Sequence, residues 1–178
     1  SPALFLDRDG IINKDFGYVY EKDKFEFLPG IFDLVKSANL AGYLTVVVTN
    51  QAGIGRGLYG IREFRALSQW MCKCFERRGA SIDAIYFSPF HPTKGKGKYL
   101  LDENSRKPGP GMFLEAADDL NINLSKSLMV GDKITDLEAS KAAKIKQNYL
   151  LVSSIDYKAT LPSNFSVEFL KDFTPLIS

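Results

Sequence analysis

Two aspartates separated by one residue, Asp7 and Asp9, stand between an apolar run and Gly10. In an extended chain, residues two apart share a face, so the spacing predicts that both carboxylates address one point while Arg8 faces away. Gly10 lets the chain turn off through a dihedral that few other residues accept. Two like charges this close repel unless a positive object lies between them. A hard divalent cation such as magnesium, which prefers oxygen ligands, meets that need. The plainer reading of D-x-D alone is a solvated acidic turn, so the case rests on what else converges there.

The elements that must position these groups follow from the apolar pattern. Residues 3–6 read as a buried strand. Residues 11–28 carry Tyr18, Tyr20, Phe25 and Phe27 among charges without a clean period, which suggests a packed loop or small hairpin. Ile31, Leu34, Val35 and Ala38 recur at helical spacing, and Gly42 closes that helix. A second strand spans 44–48 and leads into Thr49-Asn50-Gln51. A glycine-rich turn, 53–60, precedes an amphipathic helix over 61–78 with Phe64, Leu67, Met71 and Phe75 on one face. A third strand covers 82–87, and a polar loop with Lys94, Lys96 and Lys98 covers 88–109. Pro110 suits the first turn of a helix running to about residue 120. Strand 127–130 ends at Gly131-Asp132, helix 134–143 follows, and 149–152 is a fifth strand. The tail, 153–178, is less legible, with a short strand at 167–170. Alternating strands and helices predict a three-layer, Rossmann-like α/β fold, a mainly parallel sheet with helices on both faces, as one domain over 1–178.

In such sheets ligands bind beyond the carboxyl ends of the strands. The residues there are Asp7 and Asp9, Thr49 and Asn50, and Asp132 with Asp136, joined by Arg106-Lys107 from the long loop. Carboxylates, cations, a hydroxyl and an amide around one pocket suit a metal ion and a phosphate ester. Such an ester carries roughly −1.5 to −2 charges near neutral pH. Asp7 is placed to act as nucleophile and form an aspartyl-phosphate. Asp9 is placed to protonate the leaving oxygen and later to deprotonate water. Thr49 and Asn50 can hydrogen-bond the phosphoryl oxygens, and Lys107 can neutralise them. Asp132 can complete a metal site of Asp7, Asp9 and Asp132, with Asp136 supporting it from behind.

Composition excludes several other classes. At 178 residues the chain is long enough to bury a proper core. The hydrophobic fraction is 45% and the charged fraction 25%, as in ordinary soluble proteins. A net charge of +2 carries no strong footprint for nucleic acid. No apolar run approaches a membrane span, and no signal peptide is visible. A cytoplasmic monomer is expected. Cys72 and Cys74 point apart on the predicted helix, so neither a disulfide nor a metal pair is expected between them.

The set Asp7-Arg8-Asp9-Gly10, Thr49, Lys107 and Gly131-Asp132-Lys133-x-x-Asp136 resembles the ordered motifs of haloacid-dehalogenase-like phosphatases over residues 3–152. Further stretches are similar to the subgroup of D-glycero-D-manno-heptose 1,7-bisphosphate 7-phosphatases and histidinol-phosphate phosphatases. These are Ile11-Ile12-Asn13, Gly17-Tyr18-Val19, Phe27-Leu28-Pro29-Gly30, Asn50-Gln51-Ala52-Gly53-Ile54, Arg106-Lys107-Pro108 and Pro110-Gly111-Met112. The resemblance implies magnesium, an aspartyl-phosphate, a heptose bisphosphate substrate used in lipopolysaccharide-precursor synthesis, and no large cap domain. It implies Arg106 and Lys133 as substrate contacts, with Asp15 and Tyr18 lining the pocket and Gln51 in the phosphate-binding segment.

One departure stands out. The resemblance implies a structural zinc held in the long loop by Cys-x-His and Cys-x-Cys, yet the corresponding residues here are Ser88, Phe90, Glu103 and Ser105. His91 is the lone imidazole and has no thiol partners, so no zinc is expected. Packing, with Phe90 and Tyr99 as candidates, must then hold the loop.

Two rival readings fit less well. Gly55-Arg56-Gly57-Leu58-Tyr59-Gly60 matches G-x-G-x-x-G, but Thr-Asn-Gln-Ala separates it from the strand and no acidic residue ends the next one. A phospho-accepting signalling domain uses an acidic pair, a Thr and a Lys around magnesium, but places its phosphorylated Asp on a later strand and its Lys last.

Overall fold

A computed structural model describes residues 1–152 and 167–178. The described strands are β1 (Ala3–Leu6), β2 (Leu44–Asn50), β3 (Ala84–Ser88), β4 (Leu128–Gly131), β5 (Gln147–Leu151) and β6 (Glu168–Leu170). The helices are α1 (Ile31–Leu40), α2 (Ala52–Gly55), α3 (Ile61–Arg77), α4 (Gly111–Leu120) and α5 (Ile134–Ala142). The strands form a six-stranded sheet in the order β3-β2-β1-β4-β5-β6, and every described pairing is parallel.

Strand alternation sorts the side chains into two cores. Leu4, Leu6, Val47 and Val130 pack with Ile31, Leu34 and Val35 of α1 and Leu67, Met71 and Phe75 of α3. Ala3, Phe5, Val46, Val48 and Met129 pack with Met112, Phe113 and Ala116 of α4 and Ala139 of α5. Helices therefore cover both faces, as the continuous apolar strands require. No second folded unit is inserted among the described residues.

Three boundaries differ from the sequence reading in ways that matter for the site. β2 runs on through Thr49 and Asn50, because Thr49 pairs with Phe87 and Asn50 with Ser88. The polar residues that suggested a strand end still belong to the ladder. The glycine-rich turn opens with one helical turn, α2. β3 starts at Ala84 rather than at residue 82, since Asp83 turns inward and its carboxylate accepts the Thr45 amide at 2.8 Å. Much of the tail, 153–166, lies outside the described residues; the expected last strand is present as β6.

The long loop is held by packing, as expected. Phe90 and Tyr99 meet edge to face at 5.8 Å. The His91 amide donates to the Tyr99 carbonyl at 3.0 Å, and the Lys96 amide donates to the Gly55 carbonyl at 2.7 Å. Ser88 and Ser105, which occupy expected thiolate positions, hydrogen-bond each other at 2.8 Å.

Candidate active site

The chain leaves β1 toward α1 on one face of the sheet and leaves its neighbour β4 toward α5 on the other, so a crevice opens beyond the carboxyl ends of these strands. A cavity of about 310 Å³ sits there. Its lining includes Asp7, Asp9, Asp15, Tyr18, Asn50, Gln51, Arg106, Lys107, Lys133 and Asp136 from the sequence reading, together with Tyr59 and Thr135.

Lys107 is the hub. Its ammonium is almost fully buried and donates to Asp136 Oδ1 at 2.6 Å and to the Val48 carbonyl at 2.9 Å, and it pairs with Asp7 Oδ1 at 3.0 Å. Burial alone would lower its pKa, but the Asp136 and Asp7 carboxylates outweigh burial and hold it above the usual lysine value. Three donors are matched by three acceptors, so Lys107 acts on the cavity through its charge more than through a free N–H. Asn50 fixes the Lys107 main chain: its Oδ1 accepts the Lys107 amide at 3.0 Å and its Nδ2 donates to the Lys107 carbonyl at 3.2 Å. The expectation that Asn50 serves phosphoryl oxygens is thereby narrowed to its one remaining N–H.

Asp136 is committed to its neighbours through both carboxylate oxygens. It sits in the first turn of α5, where its Oδ2 accepts the Asp132 and Lys133 amides, each at 3.1 Å, while Oδ1 takes Lys107. Carboxylates suit helix N-termini because free amides point there.

Asp132 is different. Its Oδ1 is buried without a hydrogen-bond partner among the described residues. Burial, then the Asp136 charge, push its pKa up to about 7, against the pull of Lys133 and Lys107. Burial also raises Asp7 well above the usual carboxylate range; Asp136 adds to this and Lys107 opposes it. Carboxylate oxygens of Asp7, Asp132 and Asp136 come within 4.8 Å of one another. An orphaned buried acceptor beside two further carboxylates is the donor set a hard cation takes. The residues present therefore fit a magnesium ion, with Asp7 and Asp132 offering oxygens. Gly10 makes room: at φ +92° it tolerates the turn, and a Cβ on it would stand 2.0 Å from Asp132 Oδ2.

Asp9 is set differently from the other three carboxylates. β1 stops at Leu6, so strand alternation does not carry through to Asp9. The chain instead winds around the Arg8 carbonyl, which receives the amides of Ile11, Ile12 and Asn13. The Asp9 side chain lies outside the three-carboxylate group and is held by Arg8, Asn13 and Gln51. Arg8, expected to face away, folds back onto Asp9 at 2.9 Å and is buried.

Thr49 is buried behind the lining. Its Oγ1 accepts from Gln51 Nε2 at 2.9 Å, while its own proton has only the Asn50 carbonyl at 3.4 Å. The Tyr59 hydroxyl donates to Gln51 Oε1, which fixes the direction of the Gln51 amide. Burial, ahead of all other causes, pushes the Tyr59 pKa up to about 12, so the phenol keeps its proton. At the mouth, Lys133 Nζ lies 3.8 Å from Asp15 Oδ2, the Arg56 guanidinium sits 5.2 Å from the Tyr18 ring centre, and Arg106 is half-buried against the Phe90 carbonyl.

A family model described as HAD-hydrolase-like matches residues 104–160. The chain is 46% identical over 176 residues to a D-glycero-alpha-D-manno-heptose-1,7-bisphosphate 7-phosphatase of Burkholderia mallei, covering 99% of this chain and 93% of the relative. The chain belongs to the HAD-like phosphatases. It is also 44% identical over 177 residues to a D-glycero-beta-D-manno-heptose-1,7-bisphosphate 7-phosphatase of Pasteurella multocida, covering 98% and 96% of the two chains. The crystal structure of the D,D-heptose 1,7-bisphosphate phosphatase of B. bronchiseptica, complexed with magnesium and phosphate, superposes with a TM-score of 0.81 at 27% identity. That match covers 97% of this chain and 93% of the other.

Proposed function

We propose that this protein is a magnesium-dependent phosphomonoesterase that removes the 7-phosphate of D-glycero-D-manno-heptose 1,7-bisphosphate. The observation that carries the reading is the buried Lys107 ammonium bridging Asp7 and Asp136, beside the unpartnered Asp132 oxygen, at the floor of a sugar-sized cavity. The relatives' names support the choice of substrate.

Bound magnesium would supply positive charge to the phosphoryl oxygens and relieve the repulsion among the carboxylates. Asp7 attacks phosphorus through a carboxylate oxygen; the bond from phosphorus to the sugar oxygen breaks, and the protonated Asp9 carboxyl gives its proton to that oxygen. The products of this half are the free sugar hydroxyl and an Asp7 acyl phosphate. Water then attacks the same phosphorus while Asp9, now a carboxylate, takes the water's proton. The bond from phosphorus to Asp7 breaks, returning the Asp7 carboxylate and inorganic phosphate. Lys107 stays charged throughout and steadies Asp7 in line. Thr49 holds the Gln51 amide from behind the lining, and Arg106 and Lys133 attract the rest of the anionic substrate at the mouth.

Phosphate release is measured with both anomers of the heptose bisphosphate and with histidinol phosphate, each with and without magnesium. The expected result is preference for a heptose bisphosphate and loss of turnover in Asp7→Asn. Wild-type hydrolysis by Asp7→Asn would overturn the nucleophile, preference for histidinol phosphate would overturn the substrate, and one phosphorylation without turnover would make the protein a phospho-accepting domain.

A further inference from the structure

The acid/base carboxylate of a phosphatase has to be aimed at the leaving oxygen, and Asp9 is held more firmly than its 20% side-chain exposure suggests. Its Oδ1 accepts Arg8 Nη2 at 2.9 Å, Asn13 Nδ2 at 2.9 Å and Arg8 Nε at 3.3 Å. Its Oδ2 accepts only longer bonds, from Arg8 Nη2 and Gln51 Nε2, both at 3.2 Å. Three donors crowd one oxygen, while the other is held loosely beside the cavity-lining Gln51 amide.

The Arg8 guanidinium is itself immobilised. It is 2% exposed, and its Nη2 also donates to the Val19 carbonyl at 2.6 Å. Its central carbon lies 5.8 Å from the Phe25 ring centre and 5.9 Å from that of Phe64. A planar fork fixed between two rings sets the orientation of the carboxylate it grips, which a lysine on a flexible stem could not do. Val19 follows directly on the 15–18 segment that lines the cavity mouth, so the same guanidinium ties that wall to the acid.

We propose that Arg8, aided by Asn13, is a positioning residue that locks Asp9 Oδ1 and leaves Oδ2, held only by longer bonds, as the oxygen that hands over and takes back the proton. This rests on the phosphatase reading above, with Asp9 as acid and base. Arg8 is absent from the cavity lining and acts through Asp9.

The test exploits the leaving group. An alkoxide needs a proton as it departs, whereas p-nitrophenolate leaves without one. kcat/KM, which reports the first half-reaction, is measured for Arg8→Lys and Asn13→Ala on the sugar phosphate and on p-nitrophenyl phosphate. The expected result for Arg8→Lys is a loss of about a hundredfold on the sugar phosphate and only about threefold on p-nitrophenyl phosphate, within the range that general acid catalysis supplies. Asn13→Ala should show the same asymmetry at about tenfold, and it keeps the proposal testable should Arg8→Lys fold poorly. Equal losses on both esters would overturn the proposal and make the cluster a structural support. Absence of turnover in the wild-type protein on any ester would instead sink the phosphatase reading.

Discussion

Lys107 Nζ stands 2.6 Å from Asp136 Oδ1 and 3.0 Å from Asp7 Oδ1, so one buried cation from the long loop holds the end of β1 to the first turn of α5. Removing it strands three carboxylates in a poorly solvated site. Breaking a buried pair in this way costs about 3–5 kcal/mol. Lys107→Met should therefore lower the urea midpoint strongly and abolish turnover. A variant with wild-type stability would show that the carboxylates simply take up protons.

The raised carboxyls give the metal-free protein an unusual pH response. The folded Asp132 pKa is about 7, above its ordinary value of 3.8, and Asp7 is raised too. Groups raised on folding contribute stability that is full below their unfolded values and is lost as pH rises through the folded ones. Over that window the metal-free protein should lose stability, while magnesium, which competes with protons for the same oxygens, should stabilise it increasingly. Thermal melts from pH 5.5 to pH 8, with and without magnesium, check this. A magnesium-induced rise in melting temperature that shrinks with pH would refute it.

Gly10→Ala places a methyl group where Asp132 Oδ2 now lies and imposes a φ of +92° on an L-residue. The backbone strain alone is about 1–3 kcal/mol. Affinity for magnesium should fall along with stability, because Asp132 must move; calorimetric titration would show it. Unchanged affinity would mean that Asp132 is not a ligand.

The Ser88–Ser105 pair leads to a two-part expectation. Elemental analysis of the purified protein should find only substoichiometric zinc, since no thiolate stands in the loop. Ser105→Ala leaves the fully buried Ser88 hydroxyl without its partner and should cost about 1–3 kcal/mol by urea unfolding. Stoichiometric zinc, or no change in stability, would count against the hydrogen bond as the clamp.

Most of the frame was legible because apolar periodicity is a local signal. Ile31, Leu34 and Val35, or Phe64, Leu67, Met71 and Phe75, declare a face before any fold is known. Asp7 and Asp132 were legible for another reason: charged residues at the ends of apolar strands need a use. What stayed hidden depends on side chains turning back on themselves. Alternation sends Arg8 away from Asp9, but the chain leaves the strand at Leu6 and the long side chain returns. Tyr59 was hidden in a glycine-rich stretch that reads as a turn. Its neighbours signal flexibility, whereas its hydroxyl is committed to Gln51. Asn50 looked like a ligand-facing amide because nothing local reveals that the main chain of Lys107 arrives beside it.

The innermost strand, β1, lies between partners drawn from distant parts of the chain, β2 on one side and β4 on the other. Pairing strands so distant in sequence is slow, because loop-closure entropy is lost before the contacts form. On the proposed function, ion and phosphate capture waits for that closure, because Asp7 meets Lys107 and Asp132 only afterwards. Any partly opened species that sheds α5 gives up its grip on the ligand at once, which makes ligand retention a readout of whether the whole sheet is shut.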